Sequence, residues 1–288
     1  MNFTLIKNSI AHDKYRDGYY QLAKDTFGLS FKDWYDSGYF DGSHVPYTVF
    51  EGDRAVANIS VNFMDVVSDG KTRKYVQLGT VMTDKEYRGK GLQKFIFAEI
   101  MKDLNGKSDA LFLFANKSVL EFYPKFGFVK DVEYSFSKTV IGKGGEIQQL
   151  NMDNADDIAM VKKYYSLGNP FSALSVINGF ALQMFYLGGP YRENVYYLPR
   201  QDAVVICEKE ENSITVLDIF CSENKNIDDI LCCLCDGETQ ISLGFAPKDT
   251  DSWNIQLLKD EDTTLFVHTG GENIFSGRQL MFPLIAHT

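Results

Sequence analysis

The spacing of hydrophobic residues in the first half of the chain predicts a mixed unit of helices and strands. Apolar side chains recur at helical spacing over 13–27 and 91–104, which predicts two amphipathic helices. Residues 117–125 predict a further helix, and residues 128–137 predict a closing strand. The other strand-like runs are bounded by turn residues and cover 47–51, 55–66, 74–83 and the continuous apolar run 110–115. This order of elements is that of an α/β unit.

The second half of the chain repeats this order with weaker periodicity. Its predicted elements are helices at 153–165 and 171–185, a hairpin of 203–208 with 213–220, a short helix at 227–235, and strand-like runs at 240–245, 264–268 and 280–285. The glycine-rich stretch 139–146 lies between the two halves. We therefore predict two domains, at 1–140 and 147–288.

Composition and charge narrow the possible functions. The 288 residues are 44% hydrophobic and 24% charged, which is ordinary for a globular protein. The net charge of −10 argues against a general binder of nucleic acid. This charge is uneven, because residues 1–144 carry 20 Lys and Arg against 18 Asp and Glu, whereas the remainder carries 9 against 21. No run approaches the roughly 18 apolar residues of a membrane span, so we expect a cytoplasmic protein without a membrane partner.

The cysteines and histidines show no pattern of metal ligands. All five cysteines lie beyond residue 200, and Cys232, Cys233 and Cys235 share one predicted short helix without a nearby histidine. The four histidines are also scattered along the chain. We predict reduced cysteines that pack as small core residues, and no metal.

The clearest chemistry lies in 76–93, a predicted strand that leads through a glycine-containing loop into a helix. In this loop Gly89 and Gly91 let a ligand approach the backbone, and the helix start offers N–H donors. Arg88 and Lys90 add positive charge. This pattern is typical of a loop that binds a pyrophosphate, although a tight turn that merely leads into a helix has the same pattern. It has neither the Gly-Lys-Ser/Thr ending of a P-loop nor the three spaced glycines of a Rossmann fingerprint.

A second motif lies downstream, where an asparagine-containing segment ends in Tyr-Pro-Lys-Phe-Gly-Phe at 123–128. Together with the Arg-x-x-Gly loop, it resembles the GCN5-related N-acetyltransferase (GNAT) superfamily over roughly residues 1–140. The resemblance implies an α/β acyl-CoA N-acyltransferase fold, in which a mixed, mostly antiparallel sheet is flanked by helices. The weaker repeat then implies a tandem arrangement with a degenerate second GNAT-like domain. The donor implied by the resemblance is acetyl-CoA.

The resemblance also implies which residues bind the donor. The end of the fourth strand would pair with pantetheine through the main chain of Val81, Met82 and Thr83. The loop would bind the pyrophosphate through Arg88, Gly89, Lys90, Gly91, Leu92 and Gln93. Gln93 departs from the family pattern, which has Gly or Ala at this position, so we expect its side chain to narrow the site.

Two further roles follow from the same resemblance. Asn116 matches the position that contacts the pantetheine arm, and Tyr123 matches the tyrosine near the thioester sulfur. A tyrosine hydroxyl can protonate a departing thiolate, so Tyr123 is the candidate general acid. Without the motif, a core aromatic residue is the simpler interpretation of Tyr123.

The general base is not evident, because the strands at 74–83 and 110–115 contain no carboxylate. Three candidates remain open. They are a chain of water molecules, an acid from the aromatic and acidic segment 31–41 (Asp33, Asp36 or Asp41), and the terminal carboxylate of Thr288. The last is suggested by a resemblance to aminoglycoside acetyltransferases of the enhanced intracellular survival type, in which the chain end reaches the catalytic site. The segment 31–41, termed the lid here, is also a candidate wall of the acceptor site, with packing of a helix pair as the alternative.

The second half has no comparable cradle for a pyrophosphate. Its corresponding loop, 221–229, contains no glycine and carries Glu223, Asp228 and Asp229 near a helix start, where they would repel phosphate. We expect this half to shape the acceptor pocket, to supply negative potential for a cationic amine, or to form an interface. A solvated acidic surface explains its charge equally well.

These observations predict an N-acetyltransferase that moves acetyl directly from acetyl-CoA to a primary amine of a small molecule or peptide. One alternative is a non-catalytic sensor or interaction module that binds acyl-CoA, which the missing strand carboxylate favours. The other is a protein lysine acetyltransferase. The oligomeric state stays open.

Overall fold

The computed structural model describes residues 3–260 and 262–288, which form two β-sheets flanked by six α-helices. The helices are α1 (Asp13–Phe27), α2 (Lys32–Asp36), α3 (Leu92–Leu104), α4 (Ala155–Tyr165), α5 (Phe180–Leu187) and α6 (Ile227–Leu234). The strands are β1 (Phe3–Lys7), β2 (His44–Glu51), β3 (Arg54–Ser68), β4 (Lys71–Thr83), β5 (Ala110–Ala115), β6 (Phe128–Lys130), β7 (Tyr134–Lys143), β8 (Gln148–Gln149), β9 (Leu174–Val176), β10 (Val195–Leu198), β11 (Ala203–Lys209), β12 (Ser213–Phe220), β13 (Asp236–Leu243), β14 (Asn254–Leu257) and β15 (Thr264–His268). The predicted class, mixed and mostly antiparallel sheets with flanking helices, is confirmed.

The first sheet has the order β1-β2-β3-β4-β5-β15-β6, and β9 also pairs with the end of β3. All of its neighbours are antiparallel except β4 and β5, which α3 joins as a parallel pair. Successive strand residues point to opposite faces, so Val49 packs with α3 whereas Phe50 packs with α1. The two helices therefore cover opposite faces of this sheet.

The second sheet has the same arrangement in the order β14-β7-β13-β12-β11-β10-β8. Its parallel pair, β12 with β13, is joined by α6 just as α3 joins β4 and β5. The edge strand β8 occupies the position in this sheet that β1 occupies in the first. Counted from β8, the sixth strand is β7, which belongs to the first half of the chain. The sixth strand of the first sheet is β15, from the second half. The two halves therefore exchange one strand each.

This exchange alters the predicted division of the chain. The expected strand at 128–137 is two strands, because β6 stays in the first sheet whereas β7 enters the second. Residues 139–143, predicted as part of a linker, pair with β13 inside β7. A division into 1–140 and 147–288 therefore does not coincide with the division into sheets.

Three other local predictions were wrong. The helix expected at 117–125 is instead two short 3-10 turns, Lys117–Val119 and Tyr123–Phe126, since Pro124 and the left-handed Gly127 disrupt a regular helix. The helix expected at 171–185 begins only at Phe180, after strand β9. The apolar run 280–285 contains no strand and ends in the 3-10 turn Leu284–Ala286, because its side chains are buried against both sheets instead of pairing at an edge.

The largest hydrophobic core joins the two sheets. It combines Phe112 of the first sheet with Val216 and Ile241 of the second. Residues 280–288, termed the tail here, contribute Phe282, whose ring lies 4.9 Å from the Phe112 ring. Four of the five cysteines are buried here as free thiols, as predicted for core residues. A shared core makes each half depend on the other for burial of apolar surface.

Candidate active site

The central feature of the site is the point where β4 and β5 separate. Their parallel pairing ends at Leu78 and Leu113, although β4 continues to Thr83. On its other side, β4 has an irregular register with β3 between Asn58 and Ser60. Beyond Leu78, the main chain of β4 is thus not paired with β5. The predicted pantetheine contacts Val81, Met82 and Thr83 lie on this stretch.

Strain accompanies this irregularity. Thr80 has a φ of 41°, a left-handed conformation that is costly for a β-branched residue. Its carbonyl accepts a hydrogen bond from Asn58 Nδ2 at 2.9 Å, and its hydroxyl donates to Ser60 Oγ at 2.5 Å. Buried polar groups on β3 therefore hold the bent end of β4 in place.

The predicted pyrophosphate loop has the geometry of an anion cradle. Gly89 and Gly91 have φ values of 75° and 77°, and no atom lies within 4 Å of a Cβ built on either residue. Gly91 is the N-cap of α3, makes no side-chain capping hydrogen bond, and is followed by a first turn without acidic residues. Arg88 and Lys90 are exposed beside it. The N-terminus of a 13-residue helix without a carboxylate cap favours a bound anion, so these residues fit the phosphates of acetyl-CoA.

Gln93 connects this helix to the bent strand. Its Nε2 donates hydrogen bonds to Met82 O at 2.5 Å, Thr83 Oγ1 at 2.9 Å and Asn58 O at 3.3 Å. The remaining space between Gln93, Val81 and the Tyr123 ring is a cavity of only about 10 Å³. The Gln93 side chain therefore fills space that Gly or Ala would leave open.

Tyr123 lies beside the end of β4, whereas Asn116 is occupied in a local turn. The Tyr123 ring is 8% exposed and packs against Phe128 and Phe266, and its hydroxyl makes no hydrogen bond within the described part of the chain. Burial raises the pKa of Tyr123 to about 12, so the hydroxyl keeps its proton at neutral pH. Asn116 is exposed, and its Oδ1 accepts from Ser118 N at 3.0 Å.

A cleft of about 820 Å³ opens on the other side of β4. The lid lines one wall through Phe31, Asp33 and Trp34, and α5 with its following turn lines the opposite wall. Trp34 Nε1 donates to Ala181 O at 2.6 Å, which joins the two walls. The lid therefore borders a cavity that both halves of the chain form. Of the three candidate lid acids, Asp33 alone is among the described lining residues.

The chain reaches the floor of this cleft at Thr288. Its N–H donates to Gln77 Oε1 at 2.5 Å, and its hydroxyl accepts from Asn62 Nδ2 at 2.9 Å. A Cβ built on Gly79 would lie 2.5 Å from the Thr288 carbonyl oxygen, so only glycine permits this approach. Since Gly79 contacts Thr288 whereas its neighbour Leu78 lines the space beside Tyr123, the two candidate catalytic residues flank β4 from opposite sides.

His44 extends the polar floor. Asn62 Nδ2 donates to Gln77 O at 3.1 Å, which fixes Asn62 Oδ1 as the acceptor for His44 Nδ1–H at 2.7 Å. His44 Nε2 then accepts from Tyr19 Oη at 2.8 Å. Burial lowers the pKa of His44 to about 4, so the ring is neutral and rigidly held.

The sequence interpretation missed Asn62, Gln77 and His44. A signal for part of this set was present in β3, where Asn58, Ser60 and Asn62 alternate with apolar residues. A polar stripe with a period of two in a strand that is otherwise buried indicates a polar site on one face of the sheet.

The second half lacks the features of a donor site. The N-terminus of α6 is capped by Asn226, whose side chain accepts from Asp228 N, and its first turn carries Asp228 and Asp229. The parallel pairing of β12 and β13 ends at Val216 and Leu243, after which Leu284 N of the tail donates to Gly244 O at 2.9 Å. The expected acidic helix start is thus present, and the tail lies beside this second separation of strands.

Over residues 3–260 and 262–288, no three His, Cys, Asp or Glu side chains are grouped to hold a metal ion. No helix within the same residues is long and apolar enough to span a membrane.

The separation of β4 from β5, the glycine-rich helix start and the repeated mixed sheet define an N-acyltransferase fold. Solved structures share it over most of the chain. A probable N-acyltransferase from Enterococcus faecalis V583 aligns over 93% of this chain and 72% of its own, with a TM-score of 0.63 and 15% identity. A GCN5-related N-acetyltransferase from Kribbella flavida gives a TM-score of 0.55 and 16% identity, over 92% of this chain and 71% of its own. Eis1 from Mycobacterium abscessus gives 0.54 and 13%, over 92% and 72%.

Residues 9–130 match the acetyltransferase (GNAT) domain family. This part of the chain, which is less than half of its length, is similar to GNAT acetyltransferase domains. No curated protein matches the sequence.

Proposed function

We propose that the protein transfers acetyl from acetyl-CoA directly to the primary amine of a small molecule. The observation that carries this proposal is the position of β4 between two spaces. On one side lie the anion cradle and Tyr123, and on the other lies the 820 Å³ cleft with Thr288 on its floor. A donor and an acceptor that enter from these two sides would meet at the bent strand end near Thr80.

The donor side would use the residues predicted from the sequence. The N–H groups at the start of α3, within Arg88–Gln93, would bind the pyrophosphate, and Arg88 and Lys90 would add favourable charge. The unpaired edge of β4 at Val81, Met82 and Thr83 would hydrogen-bond the pantetheine arm. Asn116 would contact that arm through Nδ2, because its Oδ1 is used in the local turn.

The chemistry requires one base and one acid. The amine nitrogen forms a bond to the thioester carbonyl carbon, the carbon–sulfur bond breaks, and the acetyl group ends on nitrogen. A free carboxylate at Thr288 would accept the proton of the amine. Tyr123 would donate its hydroxyl proton to the departing thiolate, which its raised pKa permits at neutral pH. Asp33 is the alternative base, because it also lines the cleft.

Release of thiol from acetyl-CoA across a panel of primary amines tests the function. We expect turnover in the full-length protein and a fall in kcat of at least about 100-fold in Tyr123→Phe, with acetyl-CoA affinity retained. Tyr134→Phe is the matched control, because Tyr134 is a half-buried tyrosine on β7 that lines none of the cavities described above.

Each candidate function predicts a different result. Binding of acetyl-CoA without turnover on any amine would favour the sensor. Turnover with protein lysine side chains but with no free amine would favour the lysine acetyltransferase. Unchanged kcat in Tyr123→Phe would remove the acid role and leave acetyl transfer intact. Unchanged kcat after addition of one residue beyond Thr288 would remove the base role in the same way.

A further inference from the structure

The charges that face the cleft are few and largely balanced. Its described lining residues include Asp33, Asp153 and Arg192, and the last two form a salt bridge. Burial lowers the pKa values of the lining histidines, His44 and His287, to about 4, so both are neutral near pH 7. Asp33 is then the one net negative side chain among these residues.

The acidity of the second half does not reach the cleft. Of the acidic residues beyond 144 that the structure describes, Asp153 alone lines this space, and Arg192 neutralises it. The expectation that the second half supplies negative potential to a cationic acceptor is therefore not met at this site. Its contribution is apolar instead, through side chains of α5 and the neighbouring segments such as Leu182, Met184 and Phe185.

Aromatic rings form the walls, and the Phe31 ring stacks with two of its neighbours. Six aromatic side chains line the cleft, namely Phe31, Trp34, Tyr39, Phe63, Phe185 and Tyr186. The Phe31 ring is stacked with His44 at 5.4 Å and with Phe185 at 5.2 Å. The Trp34 ring makes T-shaped contacts with the rings of Phe31, His44 and Phe185. A cation–π contact needs a free ring face, which the stacked Phe31 ring does not offer to an ammonium group.

We propose that the acceptor is an amine with one positive charge and an aromatic or otherwise apolar body. This inference rests on the function proposed above. The single ammonium would lie near Thr288, where it gives up its proton, and the body would replace water along the aromatic walls. A polyamine or polycationic sugar would bury further charges without partners, so the site would discriminate against it.

Binding of amines without acetyl transfer tests this inference. Trp34 lines the cleft, whereas Trp253 does not, so the full chain carrying Trp253→Phe reports on the cleft through Trp34 fluorescence. We expect 2-phenylethylamine to bind roughly tenfold or more tightly than ethylamine, because its ring becomes buried. We expect it to bind roughly tenfold more tightly than spermidine as well.

Two phenylalanine variants locate the binding. Phe63 lines the cleft and is 41% exposed, so Phe63→Ala should weaken 2-phenylethylamine binding several-fold without unfolding the protein. Phe95 on α3 is similarly exposed, at 46%, and does not line the cleft, so Phe95→Ala should leave the affinity unchanged. Equal effects of both variants would place the ligand elsewhere and overturn the inference.

The same amines in the thiol-release assay separate the two proposals. Preferred binding of 2-phenylethylamine without its acetylation would overturn the proposed function and retain the acceptor class. Equal or tighter binding of spermidine, or equally fast acetylation of all three amines, would overturn the acceptor class and retain acetyl transfer.

Discussion

At the scale of single residues, Gly79 determines how closely Thr288 can approach β4. Its backbone lies outside the left-handed region, so alanine can adopt the same conformation. The added methyl group would nevertheless lie 2.5–2.6 Å from the carbonyl group and hydroxyl of Thr288. The last residue of the tail must therefore move when a side chain is present at position 79.

Gly79→Ala should lower kcat by about 100-fold, since a displacement near 1 Å is enough to misplace a reacting group. The thermal unfolding midpoint should change little, because the displaced residue is at the end of the tail. In a chain lacking Thr288, the same substitution should add less than about a twofold effect. If Gly79→Ala lowers kcat by the same factor in the full chain and in the chain lacking Thr288, Gly79 acts on something other than Thr288.

Glu133 is a buried carboxyl group away from the active site, and it makes stability depend on pH. It is 4% exposed and accepts a hydrogen bond from Phe282 N at 2.7 Å. Burial raises the pKa of Glu133 to about 7, and Asp260 and Asp131 add to the shift. Because the folded pKa exceeds the unfolded one, the native state holds the proton more tightly.

The Glu133 contribution to stability should be fully present below about pH 4.5 and should be lost as pH rises to about 7, by roughly 3 kcal/mol in all. Glu133→Gln should remove the Glu133 share of this dependence, which urea unfolding from pH 5 to 8 measures. The share of Asp218, whose pKa burial also raises to about 7, should remain. Glu238→Gln, at an exposed position on β13, is the control and should leave the slope unchanged. A slope in Glu133→Gln equal to that of the unaltered protein would assign the effect to another group.

At the scale of secondary structure elements, Gln93 couples the start of α3 to the bent end of β4. Its amide donates to carbonyl groups on β3 and β4 at the point where their register is irregular. Helix, loop and strand end are therefore fixed relative to one another by one side chain. This explains how the chain accommodates a long residue where the family pattern has Gly or Ala.

Gln93→Met should lower the free energy of unfolding by about 1–3 kcal/mol, because Met82 O and Asn58 O lose a donor. The volume of the side chain is nearly kept, and the main-chain N–H at the helix start remains. Lys94→Met changes the adjacent exposed residue and should have an effect within about 0.5 kcal/mol. Equal stability of the two variants in urea unfolding would mean that these hydrogen bonds contribute nothing net.

At the scale of the whole molecule, the exchange of β7 and β15 makes the two halves one folding unit. Each of these strands pairs in the interior of the sheet that the other half mainly builds. Phe266 of β15 is fully buried in the core of the first sheet, next to Tyr123. Damage to a strand encoded late in the chain should therefore destabilise the sheet encoded early.

Phe266→Ala should lower the free energy of unfolding by about 3–5 kcal/mol. Trp34 reports on the first half and Trp253 on the second, so chains that retain only one tryptophan should show coincident urea transitions before and after the substitution. A shift of the Trp34 transition alone would indicate that the two halves unfold independently.

Many local elements were readable from the sequence, and so were the candidate residues of the donor site. Apolar spacing predicted α1 at 13–27 and β5 at 110–115 with the bounds that the structure shows, because each pattern lies within one element. The glycines of the cradle and Tyr123 were found for the same reason, because each belongs to a motif within one short continuous stretch of the sequence. The prediction of a helix at 117–125 was wrong because Pro124 and the following Gly127 disrupt a regular helix, despite the helical spacing of apolar residues.

The proposed acceptor side depends on the tertiary structure. The pairing of β5 with β15 and the approach of Thr288 to Gly79 join residues more than 140 positions apart, and no periodic pattern records such contacts. The same is true of the cleft, whose walls come from the lid and from α5. Sequence by itself therefore determined the similarity to GNAT domains and the glycine-rich helix start. Only packing of distant segments, driven by burial in a shared core, determined where the cleft and the candidate base lie.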